Sequence, residues 1–264
     1  MTEERIYMDN TYMDVIKFGE GDKNLVVVAG ASVTGIEGQG AVLAKAYELF
    51  SRKYTVYVLE RKKDMPVGYH VTDMADDIYR VLRELGVDNA DFIGASQGGC
   101  ICIDLALEHP EMVNKLVLIS SFCRSTPLMK ANGLKWLELA KLRDIVKLNR
   151  FVNDVVYSKQ MLEKVKDQLP VLESKGTDED MERFEIIAKA CTNVDFSGDI
   201  DMIRCPLFVI GDMNDKTVGP EGTQEIADLT GCKMFMYDEY GHAVYDEAPD
   251  IKQKIYDFLI KSKK

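Results

Sequence analysis

Asp91-Phe92-Ile93-Gly94-Ala95-Ser96-Gln97-Gly98-Gly99 is the stretch on which the reading of this chain turns. It sets one serine among glycines where an apolar run gives way to a helical pattern. A Gly-x-Ser-x-Gly turn between strand and helix lifts the hydroxyl clear of the backbone. It also aims the next amide at a developing oxyanion, with small neighbours avoiding collision. Because glycine and serine are common, such a match alone is more often an ordinary turn. Its surroundings decide.

Working outward, residues 25–28, 55–59, 91–93, 115–119 and 207–210 are short and β-rich and read as buried strands. Residues 39–50, 71–85 and 98–108 carry apolar side chains at helical spacing between them. This alternation predicts an α/β fold, a mostly parallel sheet flanked by helices on both faces. Residues 7–18, followed by Gly19-Glu20-Gly21-Asp22, read as a hairpin at the sheet edge. Residues 233–237 are strand-like, and residues 249–264 read as a closing helix with Ile251, Ile255, Phe258 and Leu259 on its apolar face.

Between Cys123 and Asp199 the alternation stops and helices are expected at about 130–148, 151–157, 159–168 and 178–191. A helical insert this long exceeds a plain crossover. The expected organisation is therefore a core of residues 1–122 and 201–264 interrupted by an inserted helical cap at 123–200. Basic residues of the insert (Lys130, Lys135, Lys141, Arg143, Lys147, Arg150) read as solvated helix faces in preference to a lip for anionic substrates. Trp136, Leu137, Phe151, Tyr157 and Met161 are candidates for an apolar pocket, although helical spacing also suits packing on the core.

A chain of 264 residues with 46% hydrophobic content can bury a large core, and its net charge of −11 disfavours nucleic acid or an anionic membrane as partner. Glu3, Glu4, Arg5 and Asp9 interrupt any secretory-type start, and no run is long and apolar enough to insert in a membrane, so a cytoplasmic protein is expected. Six cysteines lack C-x-x-C spacing and read as free thiols. Neither metal-ligand spacing nor a phosphate-binding glycine loop is present. Gly30, Gly35, Gly38 and Gly40 fit an oxyanion loop better than G-x-G-x-x-G, and no metal or cofactor is expected.

A serine is a weak nucleophile at neutral pH and needs a neutral imidazole to take its proton and a carboxylate to orient that imidazole. Of the three histidines, His109 stands beside Pro110 at a helix end and His70 follows a strand in a loop. His242, in Tyr240-Gly241-His242-Ala243-Val244-Tyr245 beyond the strand at 233–237, is the best-placed base. Asp215 follows the strand at 207–210 and is the leading acid, with Asp212 the competitor. The order Ser, Asp, His is a known triad order.

Residues 25–30, the Ser96 turn, the Asp215 loop, and Gly241-His242-Ala243 with Glu247 and Pro249 together resemble the α/β-hydrolase fold superfamily over nearly the whole chain. The resemblance implies Ser96 as nucleophile, His242 as base and then acid, Asp215 as its orienting partner, and the backbone amides of Ala31 and Gln97 as the oxyanion hole. Two departures stand out. Ala29-Gly30-Ala31 replaces the frequent His-Gly, leaving the ordering of that loop unexplained, and Glu60-Arg61-Lys62-Lys63-Asp64 replaces Asp-x-x-Gly-x-Gly-x-Ser. The function implied is a serine hydrolase cleaving a small-molecule carboxylic ester, lactone or thioester through an acyl-enzyme. Alternatives on the same residues are C–C bond hydrolysis, a lyase or acyltransferase, or a slow-turnover ligand-sensing receptor.

Overall fold

The computed structural model describes residues 1–261. Its strands are β1 (Thr2–Met8), β2 (Thr11–Phe18), β3 (Lys23–Val28), β4 (Tyr54–Leu59), β5 (Ala90–Ala95), β6 (Val113–Ile119), β7 (Leu207–Asp212) and β8 (Lys233–Tyr237). They form one sheet in the order β1-β2-β4-β3-β5-β6-β7-β8. From β4 to β8 all neighbours are parallel, while β1, β2 and β4 pair antiparallel. The Val/Leu run of β3 and the Leu/Val/Ile run of β6 follow from this placement, since a central parallel strand is covered on both faces.

The hairpin is longer than expected at its start. β1 begins at Thr2, with Thr2 to Arg5 exposed along the sheet edge, so no apolar alternation marks it. The turn at Asp9 takes φ +50°, a conformation aspartate tolerates better than most residues.

The helices are α1 (Gly40–Ala46), α2 (Val71–Glu84), α3 (Gln97–Glu108), α4 (Pro127–Lys141), α5 (Ile145–Val156), α6 (Lys159–Lys164), α7 (Leu169–Glu173), α8 (Asp178–Cys191), α9 (Pro220–Thr230), α10 (Val244–Glu247) and α11 (Ile251–Ile260). The expected helix at 39–50 is α1 followed by a separate 3-10 turn at Glu48–Phe50. Side chains of β3 alternate between two apolar clusters: Val26 and Val28 join α2 and α3, and Leu25 and Val27 join Phe50, Ile251 and Ile255. The sheet is thus covered on both faces. α3 is buried from Gln97 to Ala106, which is why its sequence is apolar nearly all round.

Five helices, α4 to α8, lie between β6 and β7. The helix expected at 130–148 breaks at Arg143, which takes φ +55°, and Asp144 accepts from the Lys147 amide at 3.1 Å to start α5. α5 then runs through the break expected near 149–150. The helix expected at 159–168 stops at Lys164, and α7, with Pro170 in its first turn, was not anticipated. Nor was α9, although Pro220 at its start and Gly231 at φ +64° just past its end are ordinary boundary signals. The closing helix ends at Ile260, and its expected extension over residues 262–264 lies outside the described residues.

Candidate active site

Ser96 stands between the end of β5 and the start of α3 with φ +51°, a left-handed conformation costly for a residue with a Cβ. Surrounding hydrogen bonds impose it. The Ser96 amide donates to Ile119 O at 2.9 Å, and its carbonyl accepts from the Gly99 amide and from Ser121 Oγ, both at 2.9 Å. The flanking glycines are required by close approach. A Cβ on Gly98 would collide with the carbonyl oxygens of Val28 and Ala29, the latter at 2.5 Å, and one on Gly94 would meet Gly98 O at 2.7 Å. The helix can therefore start against β3 only if these positions carry no side chain.

Asp215 and His242 meet although 27 residues separate them, with His242 Nδ1 2.8 Å from Asp215 Oδ2. Both are buried, at 5% and 2% exposure. The other Asp215 oxygen accepts from the amides of Thr217 (2.8 Å) and Val218 (3.0 Å). Burial pushes this carboxyl up, but His242 and the two amides outweigh it and hold the group below the ordinary carboxylate range. An ionised Asp215 makes Nδ1 the donor, so a neutral imidazole keeps Nε2 free to accept a proton. Asp212 is used otherwise: its carboxylate accepts from the amides of Asn214 (2.7 Å) and Tyr240 (2.9 Å), joining the loops after β7 and β8.

The other two histidines lie elsewhere. His70 is exposed at the start of α2, where its amide donates to Asp73 at 2.7 Å. The His109 ring stacks on Tyr79, centroids 3.6 Å apart. Of the six thiols, four are buried and two half-buried, and burial pushes Cys191 up to about 12.

Ala31 lies in the loop after β3, and Gly30 packs so close to the serine turn that a Cβ there would sit 3.1 Å from Ser96 Cβ. The Gln97 amide is the first of α3, one of those a helix leaves without an intrahelical partner. Sequence reasoning missed what surrounds these two positions. Arg61, 3% exposed, donates from Nη2 to Ala29 O (2.8 Å), from Nη1 to Gly30 O (3.0 Å) and from Nε to Gln97 Oε1 (3.1 Å). Glu60 Oε1 accepts from the Arg61 amide (2.8 Å) and from Arg183 Nη2 of α8 (3.0 Å). Burial raises the Glu60 carboxyl, but Arg183 and Arg61 together bring it below its ordinary value. The one available signal was Glu60-Arg61 directly following the apolar run of β4, a place where charge is taken into the sheet end.

Ser96, Ala31 and His242 line one cavity of about 1040 Å³, walled on one side by the loops after β3 and β5 and on the other by the inserted helices. Trp136, Tyr157 and Met161 line it, whereas Leu137 and Phe151 do not. The wall is mainly apolar, with Asn149, Asn153 and Lys175 among its polar members. Most basic residues of the insert pair locally, Lys135 with Glu138, Arg143 with Glu182 and Glu185, Arg150 with Glu173, which leaves little of a cationic lip.

Residues 51–152 match the family model described as the α/β hydrolase fold. The chain is similar, at 22% identity over 86% of its length and 90% of the other, to a Rhizobium rhizogenes protein named "Putative carbamate hydrolase RutD". Among solved structures it is similar to MGS-M2, an α/β hydrolase enzyme from a Medee basin deep-sea metagenome library (TM-score 0.87, 19% identity, 99% and 98% of the two chains). It is also similar to the enol-lactonase from Burkholderia xenovorans LB400 (TM-score 0.86, 18% identity, 98% and 100%). Together with the sheet order and the serine turn at the end of β5, these likenesses show that the chain has the α/β-hydrolase fold.

Proposed function

We propose that the protein is a serine hydrolase that cleaves a carboxylic ester, lactone or thioester through an acyl-enzyme. The observation that carries this reading is the buried His242–Asp215 hydrogen bond opening on the same cavity as a serine held at positive φ. Ser96 Oγ attacks the substrate carbonyl as His242 Nε2 takes its proton, and the imidazolium so formed is stabilised by Asp215. The carbonyl electrons move to an oxyanion facing the amides of Ala31 and Gln97, and the N-terminal end of α3 adds a favourable dipole. Collapse breaks the bond to the leaving group, which receives the proton from His242. Water, deprotonated by the same imidazole, then attacks the acyl carbon and restores Ser96.

The inserted helices α4 to α8 act as a cap in this scheme, closing an apolar acyl pocket over the serine. The relatives named for carbamate hydrolysis and the neighbour named for an enol-lactone define the panel to test: p-nitrophenyl esters, lactones, thioesters and carbamates. Turnover of one of these classes is expected, with stoichiometric labelling of Ser96 by a fluorophosphonate. Well-folded protein that is not labelled sinks the proposal.

A further inference from the structure

We infer that Arg61 is the positioning residue that sets the oxyanion hole, and that Arg183 of the inserted helix α8 backs it through Glu60. The inference rests on the hydrolase reading above and deepens it. A peptide unit is planar and trans, so the Gly30 carbonyl and the Ala31 N–H point in opposite directions from one plane. Holding Gly30 O at 3.0 Å from Arg61 Nη1 therefore directs the Ala31 N–H away from the guanidinium, and Ala31 lies on the wall of the cavity that contains Ser96. The same fork holds Ala29 O at 2.8 Å and Gln97 Oε1 at 3.1 Å, so one planar group spans both segments that supply oxyanion amides.

The fork is itself held. Glu60 Oε1 takes the Arg61 amide and Arg183 Nη2, and Arg183 also reaches Arg61 O at 3.3 Å. Gln97 Nε2 donates to Ile187 O of α8 at 2.9 Å, a second tie between the elbow and that helix. As a source of stability this cluster is poor, because it strips two guanidinium groups and a carboxylate of water. Glu60 Oε2 has no partner among the described residues. Its return is geometric: guanidinium's rigid fork fits two carbonyls and an amide oxygen at once, which a lysine cannot do. The loop that lacks the frequent His-Gly is thus ordered by a side chain from the end of the neighbouring strand, β4.

The test compares ground-state binding with binding of an oxyanion mimic. The wild type, Arg61→Met, Arg61→Lys and Arg183→Met would each be assayed on the best ester of the panel, and with a trifluoromethyl ketone whose serine adduct carries an oxyanion. Arg61→Met is expected to lose about 100-fold in kcat and in ketone affinity with KM within about threefold, and Arg183→Met about tenfold in both. Arg61→Lys keeps the charge without the fork and is expected to bind the ketone about tenfold less tightly at unchanged KM, which decides the matter if Arg61→Met does not fold. Ketone affinity unchanged in folded Arg61→Met or Arg61→Lys, or falling only in step with KM, overturns the assignment. A wild type with neither labelling nor turnover overturns the hydrolase reading as well, whereas an active wild type with indifferent Arg61 variants overturns this inference alone.

Discussion

The serine turn and the loop after β3 face one another across the same cavity wall, yet they are held by different means. The turn is compact in sequence, Gly94, Ser96 and Gly98 lying within five residues, and it is held by close backbone packing within the turn and against β3 together with hydrogen bonds to the end of β6. The loop at Ala29-Gly30-Ala31 has no such local determinants. Its carbonyls are fixed by Arg61, 30 residues on from Ala31, and Arg61 is backed by Arg183 from the inserted helices. Half of the proposed site is therefore held by backbone sterics and half by buried side-chain charge.

The largest expected effect removes the chemistry of the turn. Ser96→Ala should lower kcat by about 10,000-fold and abolish fluorophosphonate labelling while the unfolding midpoint moves little. Residual turnover within tenfold of wild type would put the reacting group elsewhere. Next, Asp215→Asn should cost about 1,000-fold in kcat by disturbing the His242 tautomer, whereas Asp212→Asn should stay within about tenfold and instead lower stability by about 1 kcal/mol through its two amide contacts. Equal kinetic losses in the two variants would undo the distinction drawn between these aspartates.

A backbone test sharpens the contrast between turn and loop. Gly98→Ala places a methyl against two carbonyls of β3 and its following residue and should destabilise by on the order of 3 kcal/mol. Gly38→Ala, at φ +73° but with open space around it, should cost only about 1 kcal/mol from conformation alone. Urea unfolding of both variants measures the difference, and similar midpoints would mean that the turn is not governed by collision.

The smallest effect concerns the outer part of the helix that follows the serine. Asp104, buried on α3 near Glu108, Asp76 and Asp73, is pushed up to about 6, chiefly by burial and then by these like charges. Its folded value lies above the unfolded one, so the native state binds more protons between about pH 4 and pH 6. Stability contributed by the protonated form is present in acid and lost as pH rises through that window. Asp104→Asn should therefore gain about 1 kcal/mol over wild type at pH 7.5 and little at pH 4.5 in urea unfolding. No gain at pH 7.5 would show that the charge is better solvated than its position implies.

Much of the core was legible because its signals are short-range. Buried parallel strands read as Val/Ile/Leu runs, the turn residues sit next to one another, and only three histidines compete for the role of base. The inserted helices were legible as helices but not in their breaks. The stop at Arg143 depends on a left-handed residue whose guanidinium bonds to Ala140 O and to Glu185 of α8, a partner 42 residues away. The exposed start of β1 carried no pattern, since an edge strand with solvated side chains has no face to bury.

From sequence alone came the parallel α/β arrangement, the serine turn and the short list of residues able to serve it, because each depends on neighbours in the chain or on scarcity of residue type. Tertiary structure decided three things. It set Asp215 and not Asp212 against His242, because two loops from different strand ends had to meet. It buried Glu60, Arg61 and Arg183 together, because charges can leave water only with partners that folding alone brings within reach. And it put the inserted helices over the serine, because their apolar faces find a common cavity wall only once the sheet has formed.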